Sequence, residues 1–179
     1  MAKRGNHYEA AFEEYLRWLA VPYVAVDETR RSLAGDRTLK SLDFIVSPPE
    51  IPGSWLIDVK GRRFPTGTSG QYWKNWSTAD ELTSLAGWEA LFGQQFTGLL
   101  VFAYNVIGDR APLPRDELFV HRGGLYGFLG IRLDHYASSA KQLSPRWNTV
   151  HMPVPRFRAL ARPVRELLAV ALPAGSGAA

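Results

Sequence analysis

Two acidic residues interrupt apolar runs that otherwise have the composition of buried strands. Asp43 lies in the run SLDFIV, and Asp58 lies in the run WLIDVK, which ends on Lys60. A buried charge is costly unless it is paired or binds a metal. Two carboxylates and a strand carbonyl offer oxygen ligands of the kind Mg²⁺ prefers, and a neighbouring lysine suits chemistry on phosphate or water. These residues indicate metal-assisted chemistry. The alternative is an ordinary ion pair between Asp58 and Lys60, with Asp43 in a turn.

The spacing of the two runs predicts that the carboxylates lie close together. Side chains two residues apart in a strand face the same way, so Asp58 and Lys60 share one face. The proline-rich segment SPPEIPG (residues 47–53) separates the two runs, and no regular element tolerates such a segment. Two antiparallel neighbours joined by it would bring Asp43 beside Asp58.

The elements that would position these residues follow the order α-β-β-β-α-β, with further β and α elements after them. A helix capped by Asn6 ends before Pro22, and a second helix spans residues 79–92 with Thr78 as its cap. A mixed order with a fully apolar fourth strand indicates an α/β fold, with helices packed on a mixed sheet. The predicted strands are residues 23–28, 39–46, 54–60 and 97–106. The predicted C-terminal additions are a hairpin over 117–133, a short helix over 134–142, a strand over 146–151 and a helix over 155–172.

Three short motifs in these elements resemble a known superfamily. The segments RGNHYE (residues 4–9), DFIV (43–46) and IDVKG (57–61) are similar to successive motifs of the archaeal Holliday junction resolvases, members of the PD-(D/E)XK nuclease superfamily. The segment HYEAAFE (7–13) also resembles an uncharacterised bacterial family named after its HYExAFE motif. The superfamily's core order is likewise α-β-β-β-α-β, which implies a restriction-endonuclease-like fold. This chain has Asp58 where the family usually has glutamate.

The resemblance implies a metal-dependent nuclease site. Glu9, Asp43 and Asp58 would bind one or two Mg²⁺ (or Mn²⁺) ions, and the Val59 carbonyl would add a ligand. Lys60 would orient or help deprotonate the attacking water and stabilise the charge on the scissile phosphate. The implied reaction is hydrolysis of phosphodiester bonds in structured or single-stranded DNA, in repair, recombination or defence.

A segment without periodicity follows the strand that carries Lys60. Aromatic side chains beside cations can stack on unpaired bases and hold phosphate, and the segment begins near the expected site. The alternative is that its tryptophans attach the segment to the core. The candidate nucleic-acid-binding residues in and just before residues 64–78 are Arg62, Arg63, Trp73, Lys74 and Trp76.

The charge distribution favours a polyanionic partner. The net charge is +4, and residues 110–179 carry 10 Lys or Arg against 4 Asp or Glu. A solvated basic helix face is the alternative for this region. Its candidate phosphate-binding residues are Arg146, Arg156, Arg158, Arg162 and Arg165, with Arg30 and Arg31 as a weaker pair earlier in the chain.

Composition limits the class of protein further. The chain of 179 residues has no cysteine, which excludes disulfides, thiolate zinc sites and cysteine nucleophiles. No run of 18 apolar residues predicts a membrane span, and the N-terminus lacks the apolar stretch of a signal peptide, so we expect a cytoplasmic protein. We predict one domain over residues 1–172, with a core over 6–107, an extension over 110–172 and a flexible tail over 173–179.

Two classes of function follow. The first is a Mg²⁺-dependent nuclease that binds DNA or RNA, for which the resemblance allows a homodimer. The second is a catalytically inactive nucleic-acid-binding or structural member of the same fold. An unrelated α/β enzyme has no support, because the sequence contains no P-loop, G-x-S-x-G or G-x-G-x-x-G motif.

Overall fold

The computed structural model describes residues 6–26, 32–34 and 37–173. The predictions made for residues 4–5, Arg30, Arg31 and residues 174–179 lie outside this range. The helices are α1 (His7–Trp18), α2 (Ala79–Phe92), α3 (Leu133–Ser139), α4 (Val154–Leu160) and α5 (Val164–Leu167), with a 3₁₀ turn at Arg115–Glu117. The first strands are β1 (Tyr23–Ala25), β2 (Ser32–Ala34), β3 (Arg37–Leu39), β4 (Phe44–Val46), β5 (Ser54–Phe64) and β6 (Ser77–Thr78). The later strands are β7 (Phe96–Val106), β8 (Phe119–His121), β9 (Gly124–Arg132), β10 (Lys141–Ser144), β11 (Thr149–His151) and β12 (Arg162–Pro163).

The main sheet has seven strands in the order β1-β4-β5-β7-β9-β12, with β8 also paired to β9. Only β5 and β7 run parallel within it, and every other pairing is antiparallel. Strands β2 and β3 form a separate hairpin, and β10, β11 and β6 form a small antiparallel sheet. The expected α-β-β-β-α-β order on a mixed sheet is confirmed as α1-β1-β4-β5-α2-β7, with the β2–β3 hairpin inserted after β1.

Apolar side chains form a separate cluster on each face of this sheet. One cluster joins Phe12 of α1 and Val164 of α5 to the sheet. The other joins Leu85 of α2, Tyr136 of α3 and Phe157 of α4 to the opposite face. No helix in the described part of the chain is long and apolar enough to cross a membrane.

Both helices of the core begin at the predicted caps. The Asn6 side chain accepts a hydrogen bond from the Tyr8 amide at 3.1 Å. At the start of α2, the Glu81 amide donates to Thr78 Oγ1 at 3.2 Å, and the Thr78 amide donates to Glu81 Oε2 at 2.9 Å. This reciprocal capping box satisfies two backbone donors that the first turn of a helix leaves free. The predicted bounds of α2 are confirmed at both ends, and Gly93 ends the helix with a φ of 89°.

The predicted helix over residues 155–172 is wrong. Helix α4 ends at Leu160, Arg162 and Pro163 pair with β9, and a short α5 follows. Pro163 has no amide hydrogen to donate within a helix, and its ring disfavours the helical conformation of Arg162. The extended pair therefore completes the edge of the main sheet.

The predicted strand over residues 39–46 is interrupted. Residues 40–42 lie outside the strands, and β4 begins at Phe44, just after Asp43, whose backbone still pairs with both neighbouring strands. The cause is a contact with α2, because the Lys40 amide donates to Ser84 Oγ at 3.2 Å and Trp88 Nε1 donates to the Lys40 carbonyl at 2.8 Å. This departure from the sheet opens a space between β5 and α2.

Candidate active site

A cavity of about 400 Å³ occupies the space between β5 and α2. It brings together all four predicted catalytic residues, Glu9, Asp43, Asp58 and Lys60, although they come from three separate parts of the chain. The residues that line it are Glu9, Lys40, Ser41, Leu42, Asp43, Asp58, Val59, Lys60, Glu81, Ser84, Leu85 and Trp88.

Helix α1 delivers Glu9 to the cavity by a close approach to β5. A methyl group on Gly61 would overlap the ring of Tyr8, so only glycine at this position lets the first turn of α1 lie against the strand. Glu9 is buried there, and Asn6 Nδ2 donates to its Oε1 at 2.5 Å. Asn6 therefore both caps α1 and holds the side chain of Glu9, the candidate metal ligand.

Asp43 is held rigidly although it precedes β4. Its amide donates to the Ile57 carbonyl at 2.9 Å, and its own carbonyl accepts from Val26 at 2.9 Å, so its backbone continues the sheet pairing on both sides. Its buried carboxylate accepts a hydrogen bond from the Val59 amide at 2.6 Å. Asp43 is therefore anchored to the same stretch of β5 that carries Asp58 and Lys60.

The Lys60 ammonium lies between two carboxylates. Lys60 Nζ is 2.8 Å from Asp58 Oδ2 and 2.9 Å from Glu81 Oε1. Burial lowers the pKa of Lys60, but the attraction of the two carboxylates outweighs it and holds that pKa above its ordinary value. Lys60 is accordingly charged at neutral pH.

Glu81 is the site residue that sequence reasoning missed. Burial raises the pKa of Glu81, but the charge of Lys60 and hydrogen bonds from Lys60, Thr78 and Ser77 outweigh it and lower that pKa to about 2. The available signal was the capping box itself, because Thr78 is followed three residues later by a glutamate. Nothing in the sequence places that helix start beside Lys60.

The candidate ligands suit a hard divalent cation, because the carboxylates of Glu9, Asp43 and Asp58 and the carbonyl of Val59 all offer oxygen atoms. In this arrangement, one carboxylate oxygen of Asp43 accepts a hydrogen bond from the Val59 amide, and one carboxylate oxygen of Asp58 forms an ion pair with Lys60. Within the described ranges, no three His, Asp or Glu side chains are grouped closely enough to hold a metal ion as they stand. Metal binding would therefore require the carboxylates to draw together.

A second cavity of about 280 Å³ adjoins the first. The two share Val59, Lys60 and Glu81 in their walls, and the second adds Arg62 and Trp76. The Arg62 guanidinium lies 3.9 Å from the centre of the Trp76 ring and donates to the carbonyls of Gly61 and Trp76. Its buried Nε has no hydrogen-bond partner among the described residues.

The two tryptophans after β5 occupy different environments. Trp73 packs edge-on against Phe64, with ring centres 5.2 Å apart, and also contacts Tyr104. Trp76 is 37% exposed at the second cavity. Between them Asn75 is buried, and its side chain exchanges two hydrogen bonds with the backbone of Met152, at 2.9 and 3.0 Å. Trp73 thus faces the core, and Trp76 faces the second cavity, which we call the groove.

The remaining basic candidates are dispersed. Arg63 is exposed, and the Lys74 carbonyl accepts from Tyr104 at 2.9 Å. Arg158 lies 5.0 Å from the centre of the Trp73 ring, whereas Arg165 forms an ion pair with Glu117. Arg162 donates to the carbonyls of Ala159 and Ala161, Arg156 lies 3.5 Å from Ser139 Oγ, and Arg146 sits on the β10–β11 hairpin. The C-terminal arginines lie on α4, β12, α5 and the β10–β11 turn, so they do not form the one solvated helix face that was the alternative to a phosphate-binding surface.

The fold is that of the restriction endonucleases. The chain is similar to the solved structure of Archaeoglobus fulgidus Hjc, a Holliday junction resolvase from an archaeal hyperthermophile, with a TM-score of 0.50 and 14% sequence identity over 92% of this chain and 99% of that chain. At this identity the similarity concerns the fold alone. No protein-family model matches the chain, and no curated protein matches it in sequence.

Proposed function

We propose that this protein is a metal-dependent nuclease that hydrolyses phosphodiester bonds in DNA. The observation that carries the proposal is the convergence of Glu9, Asp43, Asp58 and Lys60 on one cavity of a restriction-endonuclease-like fold. The structural neighbour is named as a Holliday junction resolvase, which supports branched DNA as the first substrate class to test.

Glu9, Asp43, Asp58 and the Val59 carbonyl would hold Mg²⁺ or Mn²⁺ in this proposal. Such a cation, when bound, supplies Lewis-acid polarisation of the phosphate and acidifies a water molecule. Lys60, which lies 2.8 Å from Asp58 and 2.9 Å from Glu81, would orient or help deprotonate the attacking water and stabilise negative charge on the phosphate.

Glu81 acts as a positioning residue for Lys60. A carboxylate that binds a cation loses part of its attraction for a neighbouring ammonium, so Lys60 would lose one of its two partners if Asp58 became a ligand. Glu81 would keep the ammonium in place, because its own position is set by the capping box and by Ser77 Oγ, which donates to Glu81 Oε2 at 2.8 Å.

The second cavity provides a path for the nucleic acid strand. It shares Lys60 with the first cavity and ends at Arg62 and Trp76, whose side chains suit a phosphate and an unpaired base. Arg63 is exposed and Lys74 is half-buried, but neither lines this cavity, so their contact with nucleic acid stays a prediction.

A catalytically inactive nucleic-acid-binding protein is the second candidate. It is favoured by the ion pairs that Lys60 makes with Asp58 and Glu81, which give these charged residues a structural role without a metal. In that case the charged cluster would stabilise the fold around a binding groove and perform no chemistry.

Cleavage assays distinguish the two functions. Purified protein would be incubated with Mg²⁺ or Mn²⁺ and with single-stranded, duplex, flap and four-way-junction DNA, and with matched RNA. We expect Lys60→Ala to lower the cleavage rate by about 10²–10³-fold while DNA binding is kept. Lys60→Arg keeps the positive charge but changes its shape, and should also cleave poorly.

Arg17→Ala is the matched control, because it also removes one cation from an ion pair, at an exposed position on α1. It should cleave like wild type. Binding without cleavage by the wild type under every condition would favour the inactive protein, and wild-type rates in Lys60→Ala would show that the active-site assignment is wrong. A homodimer stays a prediction, which sedimentation of the purified chain would test.

A further inference from the structure

The hairpin formed by β10 and β11 exposes large apolar side chains to solvent. Trp147 is 68% exposed, more than any other large apolar residue of the described ranges, and Leu143 is 50% exposed. Neither belongs to the two apolar clusters of the core. Their exposed surface is therefore not used in packing the core and is accessible to a partner.

The charge of the hairpin indicates what it contacts. Residues 141–151 contain two cations, Lys141 and Arg146, and no acidic residue. The Arg146 guanidinium lies 5.2 Å from the centre of the Trp147 ring. A flat aromatic surface with a cation beside it is complementary to a nucleobase followed by its phosphate.

The hairpin is attached to the wall of the proposed groove. Strand β11 pairs with β6, which lies in the chain between Trp76 and Glu81, two residues that line the second cavity. The Ala79 amide donates to the Asn148 carbonyl at 2.9 Å, and Asn148 Nδ2 donates to Asp80 Oδ1 at 3.2 Å. The tip of the hairpin, which is the turn between β10 and β11, is thus hydrogen-bonded to the start of α2. The same turn of α2 places Glu81 beside Lys60.

We propose that this tip, formed by Leu143, Arg146 and Trp147, is a base-stacking wedge for branched DNA. Trp147 stacks on the first unpaired base at the branch, Leu143 covers the last base pair, and Arg146 contacts the adjacent phosphate. The inference rests on the proposed function, because the wedge would place the branch at a constant offset from Lys60. A nucleic acid is favoured over a protein partner by the two cations, the absence of acidic residues and the continuity with the groove.

Binding and cross-linking test the wedge without any cleavage. In EDTA, we expect Trp147→Ala to bind a forked DNA about tenfold more weakly than wild type and to bind a plain duplex equally well. Trp147→Phe should restore most of the fork affinity. Leu91→Ala is the matched control, since Leu91 is 56% exposed at the other end of α2.

A 5-iodouracil placed as the first unpaired base should cross-link to Trp147 on irradiation, and mass spectrometry would locate the adduct. Equal fork binding by Trp147→Ala, with the cross-link elsewhere or absent, would overturn the wedge and leave the nuclease proposal untouched, provided that the wild type still cleaves DNA. A loss of self-association in Trp147→Ala without any change in fork binding would also overturn it, because the hairpin would then contact another protein chain. Failure of the wild type to bind or cut any DNA would instead contradict the proposed function.

Discussion

Strands β5 and β7 are neighbours of equal length, yet they differ sharply in composition. Both have eleven residues and they pair in parallel along their whole length. On one shared face, β5 carries two charged site residues and a half-buried arginine, whereas β7 carries only apolar and aromatic side chains. The register partners are Asp58 with Leu100, Lys60 with Phe102, and Arg62 with Tyr104.

The difference arises from what covers each strand. On β7, Phe102 packs against Tyr136 of α3 and Phe157 of α4, with ring centres 6.0 and 5.1 Å apart. Over the middle of β5 lies the cavity, where residues 40–42 lie outside the sheet and the Lys40 backbone hydrogen-bonds to α2. Charged side chains are tolerated in the middle of β5 because they line the cavity, whereas the described helices cover the same positions of β7.

The largest expected effect comes from placing a charge on the covered strand. Leu100→Asp should prevent folding, because an unpaired buried carboxylate costs several kcal/mol and a domain has only about 5–15 kcal/mol of stability. Asp58→Asn should keep the protein folded and change the free energy of unfolding by less than about 2 kcal/mol, since Lys60 retains Glu81. Urea denaturation followed by circular dichroism measures both variants. A folded Leu100→Asp protein would contradict the comparison.

The two tryptophans that follow β5 show the same difference near the C-terminal ends of β5 and β7. Trp73 packs on Tyr104 of β7, and Trp76 stacks on Arg62 of β5. Trp73→Ala should therefore lower the free energy of unfolding by about 2–4 kcal/mol, as expected for a large side chain packed on the core. Trp76→Ala should instead weaken single-strand DNA binding by roughly 1–3 kcal/mol with little change in stability. Melting curves and binding isotherms of both variants check this, and exchanged effects would show that the two roles are reversed.

The smallest effect concerns the pH dependence of stability at Glu81. The pKa of Glu81 is lowered to about 2, so its charged form stabilises the fold above its ordinary value of 4.5 and this contribution is lost as the pH falls toward 2. Glu81→Gln should cost on the order of 1–2 kcal/mol at pH 7, and the difference from wild type should shrink below about pH 4. Urea denaturation across this range measures it. A difference independent of pH would mean that the pair with Lys60 is not its source.

Much of the fold could be predicted because its signals are local. Asn6 and Thr78 are strong caps, and the apolar run of β7 admits only a covered strand, so these elements were predicted within a residue or two. The break at Arg162–Pro163 has a local signal in Pro163, which the predicted helix over 155–172 overlooks. The interruption before Asp43 instead depends on contacts with α2. Such contacts join residues far apart in the sequence, which periodicity does not register.

The candidate site also has a part that local motifs predict and a part that depends on tertiary packing. The motifs around Glu9, Asp43, Asp58 and Lys60 are short and local, and the structure brings the four residues to one cavity. The position of Glu81 beside Lys60 follows only from the packing of α2 against β5. The hairpin that carries Trp147 is joined to the segment between Trp76 and Glu81 through the pairing of β11 with β6, which periodicity does not reveal.

A crystal structure of the wild-type protein with Mn²⁺, measured with anomalous scattering, tests the central claim most directly. The account predicts at least one anomalous peak among the carboxylates of Glu9, Asp43 and Asp58 and the Val59 carbonyl, with Lys60 still contacting Glu81. The same experiment on Asp43→Asn should give a weakened peak or none. An empty cavity in the wild type at saturating Mn²⁺, with Lys60 still bridging Asp58 and Glu81, would contradict the account.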